Sequence, residues 1–281
     1  MNSLSFVLSP EMMEMMSQVR RIAPLDTTVL LTGETGTGKT QLARLIHHLS
    51  DRRDEPFVVV DCGALSASLM ESEIFGHCKG AFTGANCERI GKLGSVGKGT
   101  LLLDEVDSLS PGLQSKLLRA VDERVYEPVG SDKTCVLEAR IIAAANMPLE
   151  PAVRSGKFRQ DLYYRLNVLS LFLAPLRERP GLIKLLANKF VAEYSRRNQR
   201  EIGSLTPGAM EVLLRHDWPG NIRELRNIIE RAVLFATGPD IQEGELAGLC
   251  PTDTLRKLEI RSPSVTTISR GAKAAVAFAL K

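Results

Sequence analysis

Val29-Leu30-Leu31-Thr32-Gly33-Glu34-Thr35-Gly36-Thr37-Gly38-Lys39-Thr40 decides how this chain folds. The apolar run 29–31 reads as a short buried strand, and the helical stretch 41–49 follows the glycines. Gly33-x-x-x-x-Gly38-Lys39-Thr40 between a strand and a helix is the pattern of a phosphate-binding loop. All of Gly33 to Thr40, Glu34, Thr35 and Thr37 included, is expected to bind the phosphates: the glycines let backbone N–H groups curl around phosphate oxygens at a helix N-terminus, where the dipole favours negative charge. Lys39 is then expected to reach the β- and γ-phosphates of ATP, and the Thr40 hydroxyl to bind Mg²⁺. A glycine-rich turn with no ligand is the plainer alternative, and a second motif is needed to separate the two.

Leu101-Leu102-Leu103-Asp104-Glu105 supplies it. A carboxylate just past a buried strand points into the crevice where α/β sheets bind ligands. Asp104 is expected to hold Mg²⁺ through water, and Glu105 to polarise an attacking water. Two adjacent acids could instead cap the helix that follows, near residues 111–123. Beside the glycine loop, the metal-and-water reading is the stronger one.

Working outward, further apolar runs at residues 57–60, 100–103, 141–145 and 167–171 read as strands between helical stretches. Short continuous runs of this kind predict a parallel sheet covered on both faces, an α/β fold. The pattern changes near Pro175-Leu176-Arg177-Glu178-Arg179-Pro180. Beyond it strand-like runs disappear, and helices are expected over residues 182–197, 207–215 and 221–235. Thr206-Pro207 offers an N-cap with proline at the first helical position, and Gly238-Pro239 a stop. The division expected is a nucleotide-binding part over 1–175, a smaller helical domain over 176–249, and a linker or tail over 250–281 that ends in the start of a helix.

Composition excludes several classes. Of the 281 residues 44% are hydrophobic and 25% charged, ordinary for a globular protein, and no apolar run approaches the length of a membrane span. Met1-Asn2-Ser3-Leu4-Ser5 lacks the basic segment and apolar core of a signal peptide. Five cysteines without CxxC spacing read as reduced thiols in a cytoplasmic protein, not as a disulfide or zinc framework. A net charge of +3 does not argue for nucleic acid.

Gly80-Ala81-Phe82-Thr83-Gly84-Ala85 lies between the two phosphate-site motifs. An aromatic–hydroxyl tip flanked by glycines has no packing purpose in a nucleotide-binding core and is expected at a loop tip that moves during hydrolysis. The alternative is that Phe82 folds back into the core.

Together these residues resemble the AAA+ ATPase domain of bacterial enhancer-binding proteins, the activators of sigma-54 RNA polymerase. The resemblance runs from about residue 9 to residue 249. It rests on the glycine loop, on Glu71-Ser72-Glu73-Ile74-Phe75-Gly76-His77 leading into the GAFTGA hexapeptide, and on residues 99–105. It includes Phe158-Arg159-Gln160-Asp161-Leu162-Tyr163-Tyr164-Arg165-Leu166 and Trp218-Pro219-Gly220-Asn221-Ile222-Arg223-Glu224-Leu225. The resemblance implies an AAA+ P-loop NTPase with a helical lid, working as a ring, usually a hexamer, with ATP at each subunit boundary. Hydrolysis then drives residues 80–85 against sigma-54 and remodels the closed promoter complex. Arg159 and Arg165 stand where the family places its arginine fingers, Asn146 at the first sensor position and Arg223 at the second. One of the two arginines could instead make an ordinary ion pair, for instance with Asp161. Trp218 and Pro219 are expected to pack the lid, and His77 is assigned no chemistry.

Two departures stand out. Asp61 occupies a position where many members carry asparagine, and an aspartate there would repel Glu105 unless protonated or bridged. Gly181 and Leu182 replace the family's usual acidic pair before an isoleucine. At the ends, no receiver domain is legible before Met1 and no helix-turn-helix after Pro251. Control by another protein or by assembly is therefore expected. Six cations against two acids beyond Pro251 predict only weak, salt-sensitive contact with DNA. The resulting reading is a Mg²⁺-dependent ATPase that activates sigma-54 polymerase as a homo-oligomer. Its rivals are a regulatory subunit that co-assembles with a related full-length activator, and a general AAA+ remodeller, which has no need of the GAFTGA insertion.

Overall fold

The computed structural model describes residues 10–247. The expected tail and its helix lie outside the described residues. Five strands form one parallel sheet: β1 (Val29–Thr32), β2 (Phe57–Asp61), β3 (Thr100–Asp104), β4 (Arg140–Ala145) and β5 (Leu169–Phe172), in the order β2-β3-β4-β1-β5. Each strand expected from the sequence is present, but β5 begins two residues late. Asn167 is taken by the preceding helix: its N–H donates to the Tyr163 carbonyl at 2.8 Å and its side-chain amide to the Tyr163 hydroxyl at 2.7 Å.

The sheet is covered on both sides because its strands alternate faces. Leu101, Leu103, Ile141, Ala143 and Ala145 pack on one face with α3 (Ala67–Phe75), α4 (Pro111–Asp122) and α5 (Gln160–Leu166). Val29, Leu31, Leu102, Ile142 and Ala144 pack on the other with α1 (Pro10–Ile22) and α2 (Lys39–His48). Helix α1 is an addition to the elements expected from the sequence.

Arg140 ties α1 to the sheet. Its side chain is buried, and its guanidinium donates to Ala23 O at 2.6 Å, Ile22 O at 3.0 Å and Thr27 O at 3.3 Å. Ile22 and Ala23 stand at the end of α1, where helical partners run out and a cation is favoured, and Thr27 stands just before β1. Arg140→Met would remove all three donors, leaving the Ala23 and Thr27 carbonyls without this partner while the Ile22 carbonyl keeps the Leu25 N–H at 3.1 Å. Chemical denaturation should show a loss of about 2–4 kcal/mol; a loss below about 0.5 kcal/mol would mean that the buried cation does not anchor the helix.

A second core gathers α6 (Pro180–Arg197), α7 (Pro207–Arg215) and α8 (Asn221–Phe235) around fully buried Trp218. The Trp218 indole donates to Leu213 O at 2.8 Å, so this tryptophan packs the lid as expected. Thr206 caps α7, accepting from Ala209 N at 3.3 Å with Pro207 in the first turn. One expectation fails here. Strand structure does not end with β5, because Ser204–Leu205 pairs in parallel with Asp240–Ile241. A pair only two residues long leaves no apolar run for a pattern to reveal.

Candidate nucleotide site and loop tip

The sheet places its motifs on neighbouring strand ends. The glycine loop follows β1, Asp104 ends β3 with Glu105 directly after it, and Asn146 follows β4, which lies between them. The Thr40 hydroxyl donates to Asp104 Oδ2 at 3.0 Å, and the Lys39 ammonium to Asn146 Oδ1 at 2.8 Å. Lys39 also donates to Gly33 O at 2.7 Å and Glu34 O at 3.1 Å. Burial pushes the Lys39 ammonium below the ordinary lysine range, against the opposing pull of Asp104, Asp107 and Glu105.

These groups open onto a cavity of about 490 Å³ lined by Thr35, Gly36, Thr37, Gly38, Lys39, Thr40, Asp104, Glu105, Asn146 and Arg223, and closed on the lid side by Leu182, Ile222 and Arg226 among others. Gly36 at φ 82° and Gly38 at φ 101° hold backbone that L side chains rarely adopt, so the cradle depends on glycine. Backbone N–H groups at a helix start, a buried ammonium and a hydroxyl–carboxylate pair fit a nucleoside triphosphate with a divalent cation. Glu34 departs from the expected set: its carboxylate turns away to Arg177 and Asn221.

Glu105 sits in the left-handed region at φ 56°, with no side-chain capping bond to the turn that follows. Asp104 Oδ1 accepts from the Glu105 N–H at 3.1 Å, so the two acids shape this strand end and cap no helix. Asp61 accepts from Gly63 N at 3.0 Å, and a Cβ on Gly63 would overlap the Glu105 carboxylate. The Asp61–Gly63 turn thus lies directly against Glu105.

Residues 80–85 form a separate tip. Its base pairs Gly76–His77 with Arg89–Ile90, and Gly80 N donates to Ala85 O at 2.9 Å. Gly80 and Gly84 are left-handed with open space where a Cβ would stand. Phe82 does not enter the core. It is 42% exposed, its ring set edge-on against His77 with centroids 5.0 Å apart. His77 is buried and bonded to Ser72 Oγ at 2.7 Å, which makes it a support for the tip. A second hairpin, Val125–Tyr126 with Cys135–Val136, braces the base: Cys78 N donates to Val129 O at 3.0 Å and Val129 N to Gly76 O at 2.9 Å.

Arg159 and Arg165 lie away from the nucleotide cavity. The ion-pair alternative describes both of them in the single chain, not one. Arg159 is chelated by Asp161 at 3.0 and 2.7 Å and donates to Ser115 Oγ at 3.1 Å, and Arg165 meets Asp122 at 2.8 Å.

Residues 6–172 match the Sigma-54 interaction domain family, and residues 177–257 match the AAA+ ATPase lid domain family. The chain belongs to the sigma-54 interaction domain family. It is 48% identical over 238 residues to the transcriptional regulatory protein ZraR of Salmonella typhimurium, covering 85% of this chain and 54% of that protein. It is 51% identical over 260 residues to the Nif-specific regulatory protein of Azospirillum brasilense, covering 92% and 41%. Among solved structures it is similar to NtrX from Brucella abortus in complex with ATP, with TM-score 0.79, 31% identity and coverage of 87% and 54%. The chain spans about half the length of the curated relatives it matches.

Against this sigma-54 interaction domain, sequence reasoning missed Gln114. This buried glutamine in α4 donates to Leu109 O at 2.9 Å and Lys157 O at 3.0 Å, and accepts from Arg159 N at 2.8 Å. It fixes the backbone from which Arg159 projects. The cysteines Cys62, Cys78, Cys87 and Cys135 are free thiols, and burial pushes Cys62 up to about 12. Cys250 lies outside the described residues. Among the described residues no helix is long and apolar enough to cross a membrane.

Proposed function

We propose that this chain is a Mg²⁺-dependent ATPase that acts in the cytoplasm on sigma-54 RNA polymerase, converting the closed promoter complex to the open one through residues 80–85. The observation that carries this reading is the Thr40–Asp104 contact at 3.0 Å, in a cavity shared with Lys39, Glu105 and Asn146. Thr40 and Asp104 would hold Mg²⁺, which when bound neutralises charge on the phosphates. Lys39 would exchange its carbonyl partners for phosphate oxygens, and Glu105 would accept the proton of the attacking water. Asn146 and Arg223 would report the terminal phosphate to the sheet and to the lid.

The site is incomplete within one protomer. Arg159 and Arg165 would complete a neighbour's site in a ring, whether of identical chains or with a related activator. Their present partners, Asp161 and Asp122, are exposed surface acids. Such pairs are worth at most about 1 kcal/mol, so a neighbour's phosphate can displace them. Hydrolysis would then shift the tip, whose glycines permit backbone rearrangement, and present Phe82 and Thr83 to sigma-54.

Thr83→Ala tests the coupling. The variant is expected to keep ATP turnover within about threefold, because Thr83 is exposed and does not line the nucleotide cavity, and to lose promoter opening by more than about tenfold. Promoter opening undiminished by Thr83→Ala would remove the tip from the account. Failure of the wild-type chain to open promoters, with inhibition of a full-length relative, would favour a tuning subunit.

A further inference from the structure

Three segments far apart in sequence meet at the outer side of the phosphate loop. Arg177, in the turn joining sheet to lid, donates to both carboxylate oxygens of Glu34, at 2.6 and 3.0 Å. Asn221, the first residue of α8, donates through its amide to Glu34 Oε2 at 3.1 Å and to Thr35 O at 3.0 Å. Its side-chain oxygen accepts from Leu176 N at 2.8 Å. Ile222 N donates to Gly36 O at 3.0 Å, and a Cβ on Gly36 would overlap the Gly220 carbonyl. Three consecutive loop residues are therefore held by donors from the lid and its junction.

The chemistry of Asn221 fits this place closely. It is fully buried at φ 52°, a left-handed conformation that asparagine tolerates better than most residues. A buried side chain there needs two donors and one acceptor, which an amide supplies and a carboxylate does not. A strained residue kept by surrounding contacts points to a functional constraint. Glu34 is also bound from the other side, because its carbonyl accepts from Lys39 at 3.1 Å. One residue thus touches the phosphate-binding ammonium with its backbone and the lid with its side chain.

We propose that Arg177 and Asn221 are positioning residues, which hold the phosphate loop in its nucleotide-accepting shape by clamping Glu34 to the lid. The inference rests on the nucleotide-binding part of the function above. The clamp couples lid orientation to loop shape by a route separate from Arg223, and preorganises the loop for any phosphate chain that enters it.

The test is equilibrium binding of ADP and of a non-hydrolysable ATP analogue to the full chain, beside the melting temperature without nucleotide. Arg177 and Glu34 are both two-fifths exposed, so their variants should fold. Arg177→Ala is expected to weaken both ligands alike, by about threefold to tenfold, with Arg177→Lys recovering part of the loss. The double variant Arg177→Ala with Glu34→Gln should bind no worse than the weaker single one. Asn221→Gly, which keeps the left-handed backbone while removing three hydrogen bonds, should lose about tenfold or more. If that variant melts early, the Arg177–Glu34 cycle alone decides the outcome. Unchanged affinity in Arg177→Ala, or losses that simply multiply in the double variant, overturns the proposal. Binding needs no hydrolysis, so a wild type that binds ATP without turning it over sinks the proposed activity and leaves the clamp standing. A wild type that binds neither nucleotide overturns both.

Discussion

Glu105→Gln is expected to lower ATP turnover by about two to four orders of magnitude while nucleotide affinity stays within about threefold. Glutamine matches glutamate in shape and tolerates the same backbone, so the left-handed turn at φ 56° should persist. What it lacks is a basic oxygen to take the proton of water. Steady-state phosphate release gives the first quantity and equilibrium binding the second. Near-normal turnover would move the general base elsewhere, and the adjacent Asp61–Gly63 turn would then become the first place to look.

The second large effect belongs to the arginines. Loss of an arginine that reaches a neighbour's phosphate costs about 10³–10⁵ in turnover. At least one of Arg159→Ala and Arg165→Ala should fall in that range without a change in folding, since both side chains lie about half exposed on the surface. The diagnostic experiment mixes two inactive proteins. A protomer with Arg165→Ala keeps its own Glu105, and a Glu105→Gln neighbour keeps its arginines, so their mixed boundary contains one complete site. Mixing should restore a clear fraction of wild-type phosphate release. No recovery at any ratio, with either arginine variant, would place the arginines within their own protomer's structure.

The parts of this molecule that were legible in the sequence are those fixed locally. Short apolar runs between helices announce a parallel sheet, because buried strands need no alternation. The glycine loop and the acids after β3 were readable because phosphate binding demands particular residues at fixed spacing. Polar residues whose meaning depends on distant partners were not readable. Arg140 meets carbonyls 117 and 118 residues away, Asn221 meets a loop 186 residues away, and Arg165 meets Asp122 from another helix. No periodicity encodes such meetings. Glu34 shows the same limit from the other side. Its place in the motif suggested a ligand contact, whereas the fold gives its carboxylate to Arg177.

The state of the nucleotide, on this account, governs how residues 80–85 meet sigma-54. Capture of purified sigma-54 by the immobilised chain, with no nucleotide, with ADP, and with a transition-state analogue of ATP hydrolysis, tests that claim most directly. The account predicts retention with the analogue, little without it, and loss of retention in Phe82→Ala and Thr83→Ala. Equal capture in every nucleotide state, or capture untouched by both tip substitutions, would contradict it.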